Sequence, residues 1–184
     1  MKKGNLAVYV LRISLTLLAI TAFVALALAG VNKVTAERIA LIKQEKMQQA
    51  MAEVLPDAQG LESVVFTDAT GTVKTVYASK DGYVVEVAPA GFGGAITMMV
   101  GIKTDGTVNG ISIVSHTETA GLGSVAAANT SAGEAFRQQF VGAGGSLAVD
   151  KDGGTVDSIT SATITSRAVT AGVNAALACV AGLG

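Results

Sequence analysis

Eleven consecutive residues near the carboxyl end gather most of the chain's chemical potential: Asp157-Ser158-Ile159-Thr160-Ser161-Ala162-Thr163-Ile164-Thr165-Ser166-Arg167. Between Asp157 and Thr163 stand one carboxylate and four hydroxyl residues. Directly downstream, Val169, Val173, Leu177 and Val180 recur at spacings of four, four and three, which is one apolar face of a helix. Thr163 therefore falls at or just before a helix N-terminus. Backbone N–H groups without intrahelical partners and the positive end of the helix dipole meet there, and together they make a seat for a phosphate. A hydroxyl at that seat can be esterified to phosphate, with a nearby carboxylate such as Asp157 easing its deprotonation. Small Ser161 and Ala162 leave room beside it, and Arg167, one turn on, could lean back to pair with the phosphate. The plainer reading is an Asp/Ser/Thr-rich turn that only caps a helix.

A second group is His116-Thr117-Glu118-Thr119-Ala120-Gly121-Leu122-Gly123. A lone His beside a Glu is more often an internally satisfied pair than a ligand set. The chain has one His and one Cys, Cys179. Cys179 lies in the last helical pattern and reads as a buried thiol. One Cys and one His cannot supply the usual ligands of zinc, haem or iron–sulphur sites, and no metal site is expected. If the protein moves electrons, an organic cofactor must carry them. Gly91-Phe92-Gly93-Gly94-Ala95-Ile96 lacks the Lys and helix context of a nucleotide-binding fingerprint.

The string Asp157-x-x-Thr160-Ser161-Ala162-Thr163 resembles the flavinylation motif of the FMN-binding domain family, Asp-x-x-[Ser/Thr]-[Gly/Ser/Ala]-Ala-Thr. In that family the last Thr carries FMN through a phosphoester, so the resemblance makes Thr163 the acceptor. The continuation Ile164-Thr165-Ser166-Arg167-Ala168-Val169 resembles the G subunit of Rnf-type electron transport complexes. It is also close to the C subunit of the sodium-pumping NADH:quinone reductase. His116 to Gly123 resembles the family's His-x-Glu-Thr-Pro-Gly-Leu-Gly loop, with Ala120 in place of Pro. The resemblance lays that loop against the flavin ring. Thr119 and Leu122 would touch the isoalloxazine, and Gly121 and Gly123 would let backbone approach it. Gly91 to Ile96 is similar to the family's Gly-Tyr-x-Gly-x-Ile, with Phe92 for Tyr. A tight turn and a flavin-side role are equally open there.

The elements that must position these residues follow from the rest of the 184-residue chain. The uncharged stretch Ile13 to Val31 approaches the roughly 20 residues that span a bilayer as a helix. Lys2, Lys3 and Arg12 precede it, consistent with a cytoplasmic N-terminus at residues 1–12. Ala27-Leu28-Ala29-Gly30 also resembles a signal cleavage site, although the apolar run exceeds the usual signal length. Either reading places the remainder outside the cytoplasm. Residues 32–60 form a helical connector, with a helix over Lys33 to Leu55 ended by Pro56.

From Leu61 the period changes. Val64 to Phe66, Val73 to Tyr77, Tyr83 to Val87, Ile96 to Ile102 and Val108 to Val114 read as strands, separated by the turn signals Ala69-Thr70-Gly71, Asp81-Gly82 and Asp105-Gly106. Ser131 to Phe140 reads as a short helix, and Val156 to Ile159 as a last strand feeding the motif. The expected fold class is α+β: one transmembrane helix, then an antiparallel sheet of about five or six strands flanked by helices over residues 61–184.

Net charge is −1 with no long basic run, which argues against nucleic-acid partners. The resemblance implies a flavoprotein subunit in the cytoplasmic membrane, single-pass, with its FMN domain outside. Its complex would move electrons between ferredoxin and NAD and translocate sodium or protons. Its partners would be the other membrane and peripheral subunits, together with a magnesium-dependent flavin transferase that uses FAD. No complete active site is expected on this chain alone. The alternatives are the C subunit named above and an exported non-redox module that binds a partner through its sheet.

Overall fold

The computed structural model describes residues 3–68 and 70–183. Lys2 of the expected cytoplasmic tail and Ala69 of the expected turn lie outside the described residues. The contacts divide the chain after Glu45, and the two parts are described separately.

In the first part the chain is helical without interruption, within α1 (Lys3–Val54). From Val8 to Glu45 every residue is exposed, including Leu11, Leu15, Leu18, Phe23, Leu26 and Leu28. By length and composition this helix can cross a membrane. The anchor and the connector helix read from the sequence are parts of one helix. Gly30 is the one helix breaker near their junction, and α1 carries straight through.

In the second part five strands form one antiparallel sheet in sequence order: β1 (Glu62–Val64), β2 (Val73–Ser79), β3 (Gly82–Val87), β4 (Thr97–Lys103) and β5 (Val108–Ser115). Sequential neighbours pair throughout, through short turns after β2 and β4 and longer loops after β1 and β3. The first strand falls earlier than the Val64 to Phe66 expectation, and Val65 is 95% exposed.

Alternation along the strands sorts side chains to two faces. Val85, Val87, Met98, Val100 and Ile102 meet Val169, Val173, Leu177 and Val180 of α3 (Thr163–Ala181). The helical spacing read from the sequence is thus the buried face of α3. That helix is also long and apolar enough to span a bilayer, but it is mostly buried as the core helix of the domain. Val84 and Met99 point the other way, onto Ala50, Val54 and Leu55 at the end of α1. Gly101 permits this contact, since a Cβ there would fall on the backbone of Val54. The Asn109 side-chain amide fixes it by donating to the Val54 carbonyl at 2.8 Å.

A short 3-10 helix (Gly123–Ala127) and α2 (Ser131–Gln138) follow β5. Thr130 caps α2 by accepting from the Gly133 N–H. The expected strand over Val156 to Ile159 does not form. Only Val156 makes a bridge, parallel to Val149. The reason is that side chains from elsewhere in the chain take the backbone donors that a neighbouring strand would have used. Gln139 accepts from the Asp157 N–H at 2.7 Å, Asp150 from Ser158 at 3.1 Å, and Ser166 from Ile159 at 3.0 Å.

Candidate functional site

The turn into α3 is held by its own hydroxyls. Ser166, fully buried, accepts from the Ile159 N–H and donates to the Ala162 carbonyl at 3.1 Å. Ser161 sits at φ 61°, the only non-glycine with positive φ among the described residues. That left-handed conformation reverses the chain and places Ala162 at the N-cap. Alanine has no side-chain oxygen, so no side chain caps α3. Its first-turn N–H groups are left for something other than a cap. Thr163, half-buried, is the first residue of that turn.

Beside Thr163 lies a cavity of about 340 Å³. Ser161, Ala162, Thr163, Ile164 and Thr165 form one side of it, and Glu118, Thr119, Leu122 and Gly123 the other, with Phe92 at its edge. Phe92, Leu122 and Ile164 are large apolar residues, 68%, 42% and 50% exposed. Glu118 is the one ionisable residue in the lining and is buried. One carboxylate oxygen accepts from the Gly93 N–H at 2.8 Å, and the other accepts from the Thr165 hydroxyl. The Thr117 hydroxyl donates to the Gly93 carbonyl at 2.9 Å, which ties the two glycine-containing loops together. A Cβ on Gly93 would fall on the Thr117 backbone, and one on Gly123 would reach Glu118 Oε2 at 2.6 Å. These glycines are there for close approach.

The structure thus brings Glu118, Thr119, Leu122 and Gly123 to the same cavity as Ser161, Ala162 and Thr163. Other candidates lie outside the lining. His116 Nδ1 accepts from the Glu118 N–H at 3.2 Å and braces the loop. Gly121, at φ 75°, turns it, donating its N–H to the Ser124 hydroxyl at 2.9 Å. Asp157 and Thr160 are exposed, and the backbone of Asp157 is held by Gln139 through both its N–H and its carbonyl. Arg167 does not lean back toward Thr163. Its guanidinium makes a two-pronged pair with Asp152 at 2.7 and 2.6 Å, a geometry in which a carboxylate satisfies the planar fork. The pair lowers the Asp152 carboxyl below its ordinary range and raises the Arg167 guanidinium.

Sequence reasoning passed over Ile164 and Thr165 as lining residues and left Phe92 open between a tight turn and a flavin-side role. Thr165 had a signal: it precedes Val169 by four and Val173 by eight, so it lies on the apolar face of α3. A hydroxyl there must find a partner.

Residues 91–178 match the family model of the FMN-binding domain. The chain is 34% identical to the G subunit of the Na(+)-translocating ferredoxin:NAD(+) oxidoreductase complex of Acetobacterium woodii, over 90% of this chain and 88% of that one. It is 32% identical to the G subunit of the ion-translocating oxidoreductase complex of Methanosarcina acetivorans, over 90% and 92%. It is 38% identical to the G subunit of the proton-translocating ferredoxin:NAD(+) oxidoreductase complex of Clostridium ljungdahlii, over 87% and 86%. The chain belongs to this FMN-binding family of complex G subunits.

The cavity residues fit such a cofactor. A flavin mononucleotide is an anion at one end and a flat, largely apolar ring at the other. The uncapped turn of α3 suits the first. Phe92, Leu122 and Ile164, exposed around one cavity, suit the second. No cluster of metal-ligating side chains occurs among the described residues.

Proposed function

We propose that this chain is a membrane-anchored flavoprotein subunit that carries FMN on Thr163 and relays electrons inside an ion-translocating ferredoxin:NAD oxidoreductase complex. The observation that carries the proposal is the position of Thr163, on the uncapped first turn of α3 and in the lining of an apolar-edged cavity. Attachment is a phosphoryl transfer. The Thr163 oxygen forms a bond to the flavin-side phosphorus of FAD, its proton leaves to water, and the pyrophosphate bond breaks with release of AMP. A magnesium-dependent flavin transferase supplies FAD and the charge stabilisation. Once bound, FMN supplies reversible uptake and release of electrons.

The chain's own residues do the holding. First-turn N–H groups of α3 would hold the phosphate, and a link through it would leave the ring free. Thr119, Leu122, Ile164 and Phe92 would shelter the ring, and the exposure of Phe92, Leu122 and Ile164 would leave it open to redox neighbours. The tether holds the cofactor at high effective concentration whatever its intrinsic affinity, so FMN is not lost by dilution outside the cytoplasm. α1 anchors the subunit as a single span, with residues 61–184 as the FMN domain on the extracytoplasmic side and the remaining subunits of the complex as partners.

The test is intact and peptide mass spectrometry of the full chain co-expressed with its transferase. The expected result is one FMN increment on the peptide bearing Thr163, absent in Thr163→Ala. A chain of unmodified mass and no flavin colour overturns the proposal.

A further inference from the structure

Four polar side chains are buried among the described residues: Glu118, Thr165, Ser166 and Thr170. Thr170 is spent on its own helix, donating to the Ser166 carbonyl at 2.9 Å. Ser166 closes the preceding turn. Glu118 and Thr165 are spent on each other, across 47 positions of sequence. Among the described residues, no other pair of side chains hydrogen-bonds α3 to the loop opposite Thr163.

Three segments converge on the Glu118 carboxylate. Gly93 donates to one oxygen and Thr165 to the other, while the Glu118 N–H rests on His116. Room for the carboxylate is made by two missing side chains. A Cβ on Gly91 would come within 2.5 Å of Oε1, and one on Gly123 within 2.6 Å of Oε2. A buried carboxylate in this arrangement is demanding, because losing either donor strands an oxygen away from water. Such a group fixes geometry well.

We infer that Glu118 is a positioning residue for the flavin acceptor: by gripping Thr165 it sets the rotation of the first turn of α3, so that the hydroxyl of Thr163 opens on the cavity. The inference rests on the reading of Thr163 as the attachment point. Both residues line the cavity, so fixing the buried Thr165, 2% exposed, fixes the rotation at which the half-buried Thr163 meets it. Asp157, the carboxylate within the motif, is exposed and outside the lining, so it has no comparable grip on the turn.

The experiment measures the rate of covalent FMN incorporation into the full chain by its transferase, with thermal melting of the same preparations as the measure of folding. Thr165→Val keeps the shape and removes the donor. Its incorporation rate should fall about tenfold or more while the chain remains folded, since small misplacements of a reacting group cost that much. Thr165→Ser restores the donor and should restore the rate. Glu118→Gln should keep most of the rate, because its amide can accept from Gly93 and donate to the Thr165 oxygen. Glu118→Asp keeps the charge, shortens the reach and should slow loading. The inference is overturned if Thr165→Val loads as fast as wild type, or if Thr165→Ser is as slow as Thr165→Val. Should Thr165→Val not fold, Glu118→Asp decides alone, and wild-type loading overturns the inference. A wild-type chain without FMN removes the Thr163 reading and this inference with it, whereas a loaded wild type with equally loaded variants removes only the inference.

Discussion

One continuous stretch of chain supplies two surfaces that do different work. Ser161 to Thr165 face the cavity. Asp157, Thr160 and Arg167, drawn from the same stretch, do not, and neither do the residues they lean on. The inner surface offers small side chains, the Thr163 hydroxyl and an uncapped helix start. The outer one is a scaffold of polar side-chain bonds: Gln139 on both backbone groups of Asp157, Asp150 on Ser158, and Asp152 on Arg167. A short motif can therefore be kept together by two separate demands. Its spacing alone does not say which residue answers to which.

The contrast is broken or sharpened most strongly at Thr163. Thr163→Ala should abolish covalent FMN altogether, read by mass. It should leave the melting temperature close to wild type, because this half-buried side chain lies on the cavity rather than in the core. Next in size is Gly123→Ala. The added methyl would meet the Thr165 hydroxyl and Glu118, so the loop must shift. A destabilisation of about 1–3 kcal/mol is expected from overpacking of this kind, which in a domain of this size lowers the melting temperature by roughly 3–10 °C. FMN content should fall with it. An unchanged melting temperature and full loading would show that the inner surface is looser than its contacts imply. Arg167→Ala belongs to the outer surface. Its loss should leave FMN content unchanged and lower stability only slightly, as expected for an exposed ion pair. A large drop in flavin loading would move Arg167 back to the phosphate, where the sequence had placed it.

Much of this was legible before any coordinates, for reasons that differ by region. The β-meander followed from alternating β-branched runs and Gly-containing turns, which encode strands locally. The buried face of α3 followed from a spacing that only a helix satisfies. The loop bearing Glu118, Thr119, Leu122 and Gly123 was marked only by its resemblance to the FMN-binding domain family, since by residue type alone it reads as an internally satisfied His–Glu pair. What escaped were facts that depend on distant partners. Val156 to Ile159 looks like a strand, but its donors go to Gln139, Asp150 and Ser166, none of which adjoins it in sequence. Arg167 looked free for a phosphate because nothing nearby in sequence announced Asp152. The left-handed Ser161 carries no signal of its own, because serine is not the residue that the conformation favours.

Acid should separate the two surfaces with the smallest effect of the set. Hydrogen bonds from Ser158 and Lys151 hold the Asp150 carboxyl well below the usual carboxylate range, and the hydrogen bond from Arg167 lowers Asp152. A carboxyl whose folded pKa is depressed contributes stability that is present above its unfolded value, near 3.8, and is lost as pH falls through the folded one. The outer scaffold should therefore weaken below about pH 4, while the proposed FMN ester on Thr163 should stay bonded. Thermal melting of wild type and Asp150→Asn between neutral and acid pH measures this. The wild-type advantage should shrink toward acid and should also shrink in high salt, because both carboxylates lie at the solvent-screened surface. A gap between the two proteins that stays constant down to pH 3 would mean that the Asp150 charge contributes nothing to holding Ser158, and that the outer surface is fixed by Gln139 and Ser166 alone.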